Sequence, residues 1–232
     1  KSLIDAQVND EIAGRYYQKL AIQSVLEQLE QKDRKSLIVM ATGTGKTRVS
    51  IALVEILMKQ GWIKNVLFLA DRNALLTQAK AAYNNLLPQA TTVDITQDKE
   101  DTSSRIVFST YPTMMNMIDE AKKDGVKRFG VGRFNLIIID EAHRSVYQKY
   151  GAIFEYFDSL LIGLTATPKA EVDHNTYELF GLEDHNPTYS YELDLAVEDK
   201  FLVPPKQIEE PTKFLSEGLT YDELFEEEKE MY

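Results

Sequence analysis

Ten consecutive residues, Ile38-Val39-Met40-Ala41-Thr42-Gly43-Thr44-Gly45-Lys46-Thr47, set an apolar run directly before a glycine-rich turn ending in Gly-Lys-Thr. The two glycines let successive backbone N–H groups close around one anion, and a helix beginning here adds its positive end. In such a loop Thr42, Gly43, Thr44 and Gly45 wrap a polyphosphate, Lys46 reaches the β- and γ-phosphates, and the Thr47 hydroxyl ligates Mg²⁺. Met40 stands where the full pattern has its first glycine, a departure that bears on family more than on chemistry. A second constellation lies downstream. Phe134-Asn135-Leu136-Ile137-Ile138-Ile139 is a largely apolar run that delivers Asp140-Glu141-Ala142-His143. Two adjacent acids at the carboxyl end of a buried strand are poorly explained as solvated surface. Asp140 suits a water-mediated hold on Mg²⁺, and Glu141 suits orienting and deprotonating an attacking water. The catalytic candidates are therefore Lys46, Asp140 and Glu141, with ATP and Mg²⁺ as cofactors.

These residues need strands to present them and helices to cover the strands. Apolar runs predict strands at Leu37–Met40, Val66–Ala70, Thr91–Ile95, Arg105–Ser109, Leu136–Asp140 and Leu160–Leu164. Between them, helical spacing predicts helices at Arg48–Lys59, Asn73–Leu86 and Thr113–Lys122, with Pro112 suited to a first turn. Tyr17–Gln31 reads as an earlier helix with Leu20, Ala21, Ser24, Val25, Gln28 and Leu29 on one face. Beyond Pro168 the sheet signal fades: Asp173–Phe180 reads as helical, Tyr189–Leu193 as extended and Leu195–Asp199 as helical, before Pro204-Pro205. The alternation predicts an α/β fold, a mostly parallel sheet flanked by helices. Its expected divisions are an N-terminal helical segment at 1–34, the sheet domain at 35–206 and an acidic linker at 207–232.

Composition narrows the class. The 232 residues include 44% hydrophobic and 10% aromatic side chains, as in an ordinary globular protein. With no cysteine there is no disulfide and no thiolate-ligated metal, which suits the cytoplasm. No apolar run approaches the roughly 20 residues that span a bilayer. Net charge is −11, of which −7 falls from Glu209 onward and −4 on residues 1–208. A nearly balanced body can still present a basic groove, so the total does not exclude DNA. His174 and His185 have no partners at ligand spacing.

Four further segments resemble motifs of superfamily 2 helicases. Arg15-Tyr16-Tyr17-Gln18 resembles their glutamine motif, in which an amide that both donates and accepts pairs with adenine N6 and N7. Phe68-Leu69-Ala70-Asp71-Arg72-Asn73 resembles motif Ia, and the resemblance implies that Arg72 and Asn73 hold a DNA phosphate. Ser109-Thr110-Tyr111 resembles motif Ib, a second contact to the DNA backbone. Leu164-Thr165-Ala166-Thr167-Pro168 resembles motif III, whose small hydroxyl residues, here Thr165 and Thr167, bond to His143 and couple the nucleotide site to the DNA-facing edge.

Taken together with Thr176-Tyr177-Glu178-Leu179-Phe180-Gly181 and Val197-Glu198-Asp199-Lys200-Phe201-Leu202-Val203-Pro204-Pro205, these motifs resemble the restriction subunit of type I restriction–modification systems over nearly the whole chain. That family shares the Met40 departure. The resemblance implies a RecA-like first motor domain of an ATP-driven double-stranded DNA translocase, partnered by methylation and specificity subunits. It also implies a nuclease domain upstream and a second motor domain with its arginine finger downstream, so the chain reads as a fragment. The alternatives are another superfamily 2 motor, from a type III restriction subunit or a repair helicase, and an ATP-binding scaffold without hydrolysis.

Overall fold

The computed structural model describes residues 2–99, 101, 103–119, 127–142 and 144–204. In chain order the elements are α1 (Asp10–Ala13), α2 (Tyr16–Glu30), β1 (Lys35–Met40), α3 (Lys46–Lys59), β2 (Val66–Ala70), α4 (Asn73–Leu86), β3 (Thr92–Asp94), β4 (Ile106–Thr110), α5 (Tyr111–Asp119), β5 (Leu136–Asp140), α6 (Arg144–Tyr156), β6 (Leu160–Thr165), α7 (His174–Leu179), β7 (Tyr189–Tyr191) and α8 (Leu193–Glu198). The seven strands form one sheet in the order β3-β4-β2-β5-β6-β1-β7, every described pair parallel.

Strand geometry explains the two cores. Successive side chains point to opposite faces, so Ile38 and Met40 of β1, Val66 and Phe68 of β2, and Leu136 and Ile138 of β5 enter one core, with helices α2, α3 and α4. Leu37 and Val39, Leu67 and Leu69, and Ile137 and Ile139 enter the other, beneath α5 and α6. A sheet covered on both faces needs apolar residues at every position, which is why these strands read as continuous runs.

Three departures from the sequence expectation have physical causes. The buried face of α2 runs through Tyr17, Gln18, Ala21, Ile22, Val25, Leu26 and Leu29, while Leu20 is exposed, so the helix is rotated from the face expected. Tyr17 and Gln18 turn inward to reach the loop after β1, and that sets the rotation. Residues 144–156, for which no element is expected above, form α6; Gly151 and the β-branched and aromatic residues lower its intrinsic propensity, and Ile153 and Phe154 pack on the sheet. The sheet also continues past Pro168: β7 pairs with β1 in the register Ile38↔Tyr189 and Met40↔Tyr191.

Contacts gather the chain up to Leu202 into one compact unit. Helices α1 and α2 share the core of the sheet, so residues up to 34 pack as part of that unit. The acidic segment from Glu209 lies outside the described residues.

Candidate nucleotide site

The loop between β1 and α3 departs from ordinary backbone at its two glycines, Gly43 with φ +84° and Gly45 with φ +92°. That left-handed region disfavours any side chain. At Gly45 an added Cβ would also lie 2.5 Å from Gln18 Nε2, so the Gln18 amide would have to shift. Thr44 points into the protein, its hydroxyl donating to Ala41 O at 2.5 Å, so its part in the loop is played by main chain. Its carbonyl accepts from Tyr17 Oη at 2.9 Å and from Gln18 Nε2 at 3.0 Å. The N-terminal helix therefore clamps the loop from behind.

Gln18 is buried, and its Oε1 accepts the Arg15 N–H at 3.2 Å, closing a box around the start of α2. The amide expected to face a base thus already holds a main-chain partner at each end, leaving one N–H and one lone pair. Beside it opens a cavity of about 420 Å³ lined by Asp10, Gly14, Arg15, Gln18, Gly43, Thr44, Gly45 and Arg48. Aromatic rings support the residues behind it. The Arg15 guanidinium sits 5.1 Å from the Phe201 ring centroid, and Tyr17 stacks on Tyr191 at 4.0 Å. Tyr17, Tyr191, Asp10 and Arg48 escaped the sequence reading. Tyr17 alone carried a signal, as the apolar neighbour of Gln18 at the head of a helix.

The acidic pair stands two strands from the loop, with β6 between. Glu141 adopts φ +53°, a left-handed turn rare for a residue with a side chain. Three bonds hold that turn. The Glu141 N–H donates to Asp140 Oδ1 at 3.1 Å, the Ala142 N–H to Leu164 O at 2.9 Å, and Tyr111 Oη to Asp140 O at 2.8 Å. Lys46 reaches toward the pair across the edge, its Nζ 4.0 Å from Glu141 Oε1 and 3.3 Å from Met40 O, with only 12% of its side chain exposed. Burial first, and the Glu141 charge second, push the Asp140 carboxyl up to about 6, against the pull of Lys46.

These residues fit a nucleoside triphosphate with Mg²⁺. The loop carries no side chain at its two left-handed positions, Gly43 and Gly45. The sheltered ammonium makes contacts longer than the 2.7–2.9 Å of a tight charge-assisted bond, and the half-buried Asp140 carboxyl would be relieved by a cation. Thr47 sits half-buried at the second position of α3, on the same edge.

The other expected residues divide. Arg72 and Asn73 are exposed at the start of α4, with the Arg72 side chain 81% exposed. Thr110 is paired with Ala70 at the end of the adjacent strand, so the two segments resembling motifs Ia and Ib stand side by side. Ser109 and Tyr111 are fully buried and present no side chain to a ligand; Ser109 Oγ donates to Thr110 O at 2.9 Å. Thr165 is buried and its Oγ1 accepts the Thr167 N–H at 3.1 Å. His143 lies outside the described residues.

An all-parallel sheet with a glycine loop on one strand and an Asp-Glu pair two strands away has the RecA-like fold. The model of the family described as "Type III restriction enzyme, res subunit" matches residues 11–170, and the chain belongs to that family. Among its relatives is the type I restriction enzyme EcoAI endonuclease subunit of Escherichia coli, 36% identical over 199 residues that make up 84% of this chain and 24% of that protein. A fragment structure described as an HsdR subunit of a type I restriction enzyme from Vibrio vulnificus superposes with a TM-score of 0.63 at 30% identity, covering 85% of this chain and 33% of that one. The Type ISP restriction–modification enzyme LlaGI, solved with a DNA substrate mimic, gives a TM-score of 0.59 at 25% identity, covering 80% of this chain and 20% of that one. Together they make the chain an HsdR-like helicase-fold segment, spanning a third or less of these relatives. Among the described residues no helix is long and apolar enough to cross a membrane.

Proposed function

We propose that the chain is the first motor domain of an ATP-dependent double-stranded DNA translocase, within the restriction subunit of a type I restriction–modification system. The observation that carries this reading is the convergence of Lys46, Asp140 and Glu141 on one edge, with Lys46 Nζ 4.0 Å from Glu141 Oε1 beside a loop held open at Gly43 and Gly45. Bound ATP–Mg²⁺ would supply the phosphoryl group whose hydrolysis drives movement.

Each residue then has a task. The N–H groups of the loop and the start of α3 hold phosphates, and Lys46 neutralises charge on them. Thr47 and Asp140 hold the metal. Glu141 takes the proton of the attacking water, its carboxylate aimed by the left-handed turn. Gln18 keeps one donor and one acceptor for adenine, with Arg15 alongside, and Thr165, Thr167 and His143 couple the site to the DNA-facing edge. Arg72, Asn73 and the main chain at the start of α5 grip DNA phosphates, which carries no sequence information. Base reading falls to a specificity subunit, with methylation subunits completing a cytoplasmic complex.

The test is ATP turnover, with duplex DNA, by the polypeptide carrying both motor domains. Lys46→Ala should lose ATP binding and turnover together, because it removes the sheltered ammonium that reaches from the loop toward the acidic pair. Glu141→Gln should keep binding and lose turnover, since an amide cannot accept the proton. Retained DNA-stimulated hydrolysis in Lys46→Ala would overturn the site assignment.

A further inference from the structure

Tyr111 begins α5 directly after β4, yet its side chain reaches past β2 to the end of the site strand β5. The ring is fully buried and stacks on Tyr150 of α6, with centroids 5.5 Å apart and planes 14° from parallel. Its hydroxyl ends 2.8 Å from the carbonyl oxygen of Asp140. That carbonyl lies where the sheet stops providing partners on one side. The β2–β5 ladder runs from Val66↔Leu136 to Leu69↔Ile139 and ends there, while Asp140 is still paired with Leu164 on the β6 side. The hydroxyl takes the place of the missing ladder partner at the residue before the chain swings into the left-handed turn of Glu141.

We propose that Tyr111 is a positioning residue for the catalytic acids, its hydroxyl fixing the Asp140 peptide so that Glu141 is held in its left-handed turn. A residue with a side chain adopts that region only where its surroundings over-determine it. Of the three bonds that do so, this one alone comes from outside β5, β6 and the turn itself. Burial, with the charges of Asp140, Asp71 and Glu141, raises the phenol well above its ordinary range, so the hydroxyl stays a donor. Its catalytic consequence rests on the ATPase reading; its hold on the turn does not. Thr110, at the end of the same strand, belongs to the proposed DNA-gripping segment, so a phosphate held there shares backbone with the ring that reaches Asp140.

The test is Tyr111→Phe in the full polypeptide, which keeps the ring, its burial and its stack and removes only the donor. Tyr156→Phe is the matched control, because Tyr156 Oη also donates to a main-chain carbonyl, that of Phe129, away from the site. Amide hydrogen exchange should quicken at Glu141 and Ala142 in Tyr111→Phe and stay unchanged at Leu136–Ile138. ATP affinity should hold while kcat with duplex DNA falls about 10- to 100-fold, since misplacing a catalytic group by about 1 Å costs up to about 10²-fold. Tyr156→Phe should match the parent in all three. Unchanged exchange at Glu141 and Ala142 would overturn the proposal whatever the enzyme does. Faster exchange with parental kcat, or equal loss of kcat in Tyr156→Phe, would remove the positioning role in catalysis. Faster exchange in Tyr111→Phe, with a parent that hydrolyses no ATP, would keep the hold on the turn and sink the motor reading instead.

Discussion

Asp140 ends a buried strand with its carboxyl raised from 3.8 to about 6, and that shift makes a prediction about stability. Below about pH 4 both the folded and the unfolded protein hold the proton. Between about pH 4 and 6 the unfolded carboxyl has released it while the folded one keeps it, so stability falls as pH rises through that window. The loss is complete above the folded value and amounts to about 3 kcal/mol for a shift of about 2 units. Asp140→Asn has no such group, so in denaturant titrations without nucleotide its stability relative to the parent should rise by about that much from pH 4 to pH 7. Parallel curves for the two proteins would show that Asp140 is solvated and unperturbed. At this scale the sequence was informative where chemistry needs a residue type in a fixed order. The Gly-Thr-Gly-Lys-Thr run and the Asp140-Glu141 pair declare themselves without neighbours. Gln18 was legible as a motif, but its double engagement with Arg15 and Thr44 depends on how α2 is rotated. Tyr111 shows the opposite case. Its position beside Ser109 and Thr110 suggested a DNA contact, and only the adjacency of β4, β2 and β5 reveals a ring that crosses to Asp140.

Strand β6 separates the phosphate loop from the acidic pair, and its packing sets their spacing. Gly163 is registered between Leu37 of β1 and Ile139 of β5. A Cβ there would lie 2.4 Å from Phe180 Cζ, so the Phe180 ring seated over this glycine would have to move. Gly163→Ala should therefore destabilise the fold by about 1–3 kcal/mol, the usual range for overpacking a filled core, measured by denaturant unfolding. A change below about 0.5 kcal/mol, typical of an ordinary surface position, would mean that the ring swings aside freely. Elements with strong periodicity were legible: β2, β5 and α4 occupy the very residues their patterns mark. Weaker ones were not. The four-residue α1, capped by Asn9 Oδ1 accepting the Glu11 N–H at 3.1 Å, is too short to show a period. The Tyr189–Tyr191 strand was legible as extended, but its place in the sheet comes only from its register with β1, a contact between residues about 150 positions apart in the chain.

The whole molecule presents both sets of residues along the carboxyl ends of its strands: the loop of β1 and the acids of β5, proposed for nucleotide, and the ends of β2 and β4, proposed for DNA. This order places the proposed ATP and DNA edges next to each other, with β5 at the junction. It offers one wall of a cleft. In the two-domain motor proposed, the facing wall brings an arginine to the γ-phosphate, a contribution of about 10³–10⁵ in rate in related phosphoryl-transfer enzymes. The most direct test of that account is steady-state ATP hydrolysis, with duplex DNA, by residues 1–232 and by a polypeptide extended through the second motor domain. The account predicts negligible turnover by the chain alone and DNA-stimulated turnover by the longer protein, higher by about that factor. Equal DNA-stimulated rates from the two, or none from either, would contradict it.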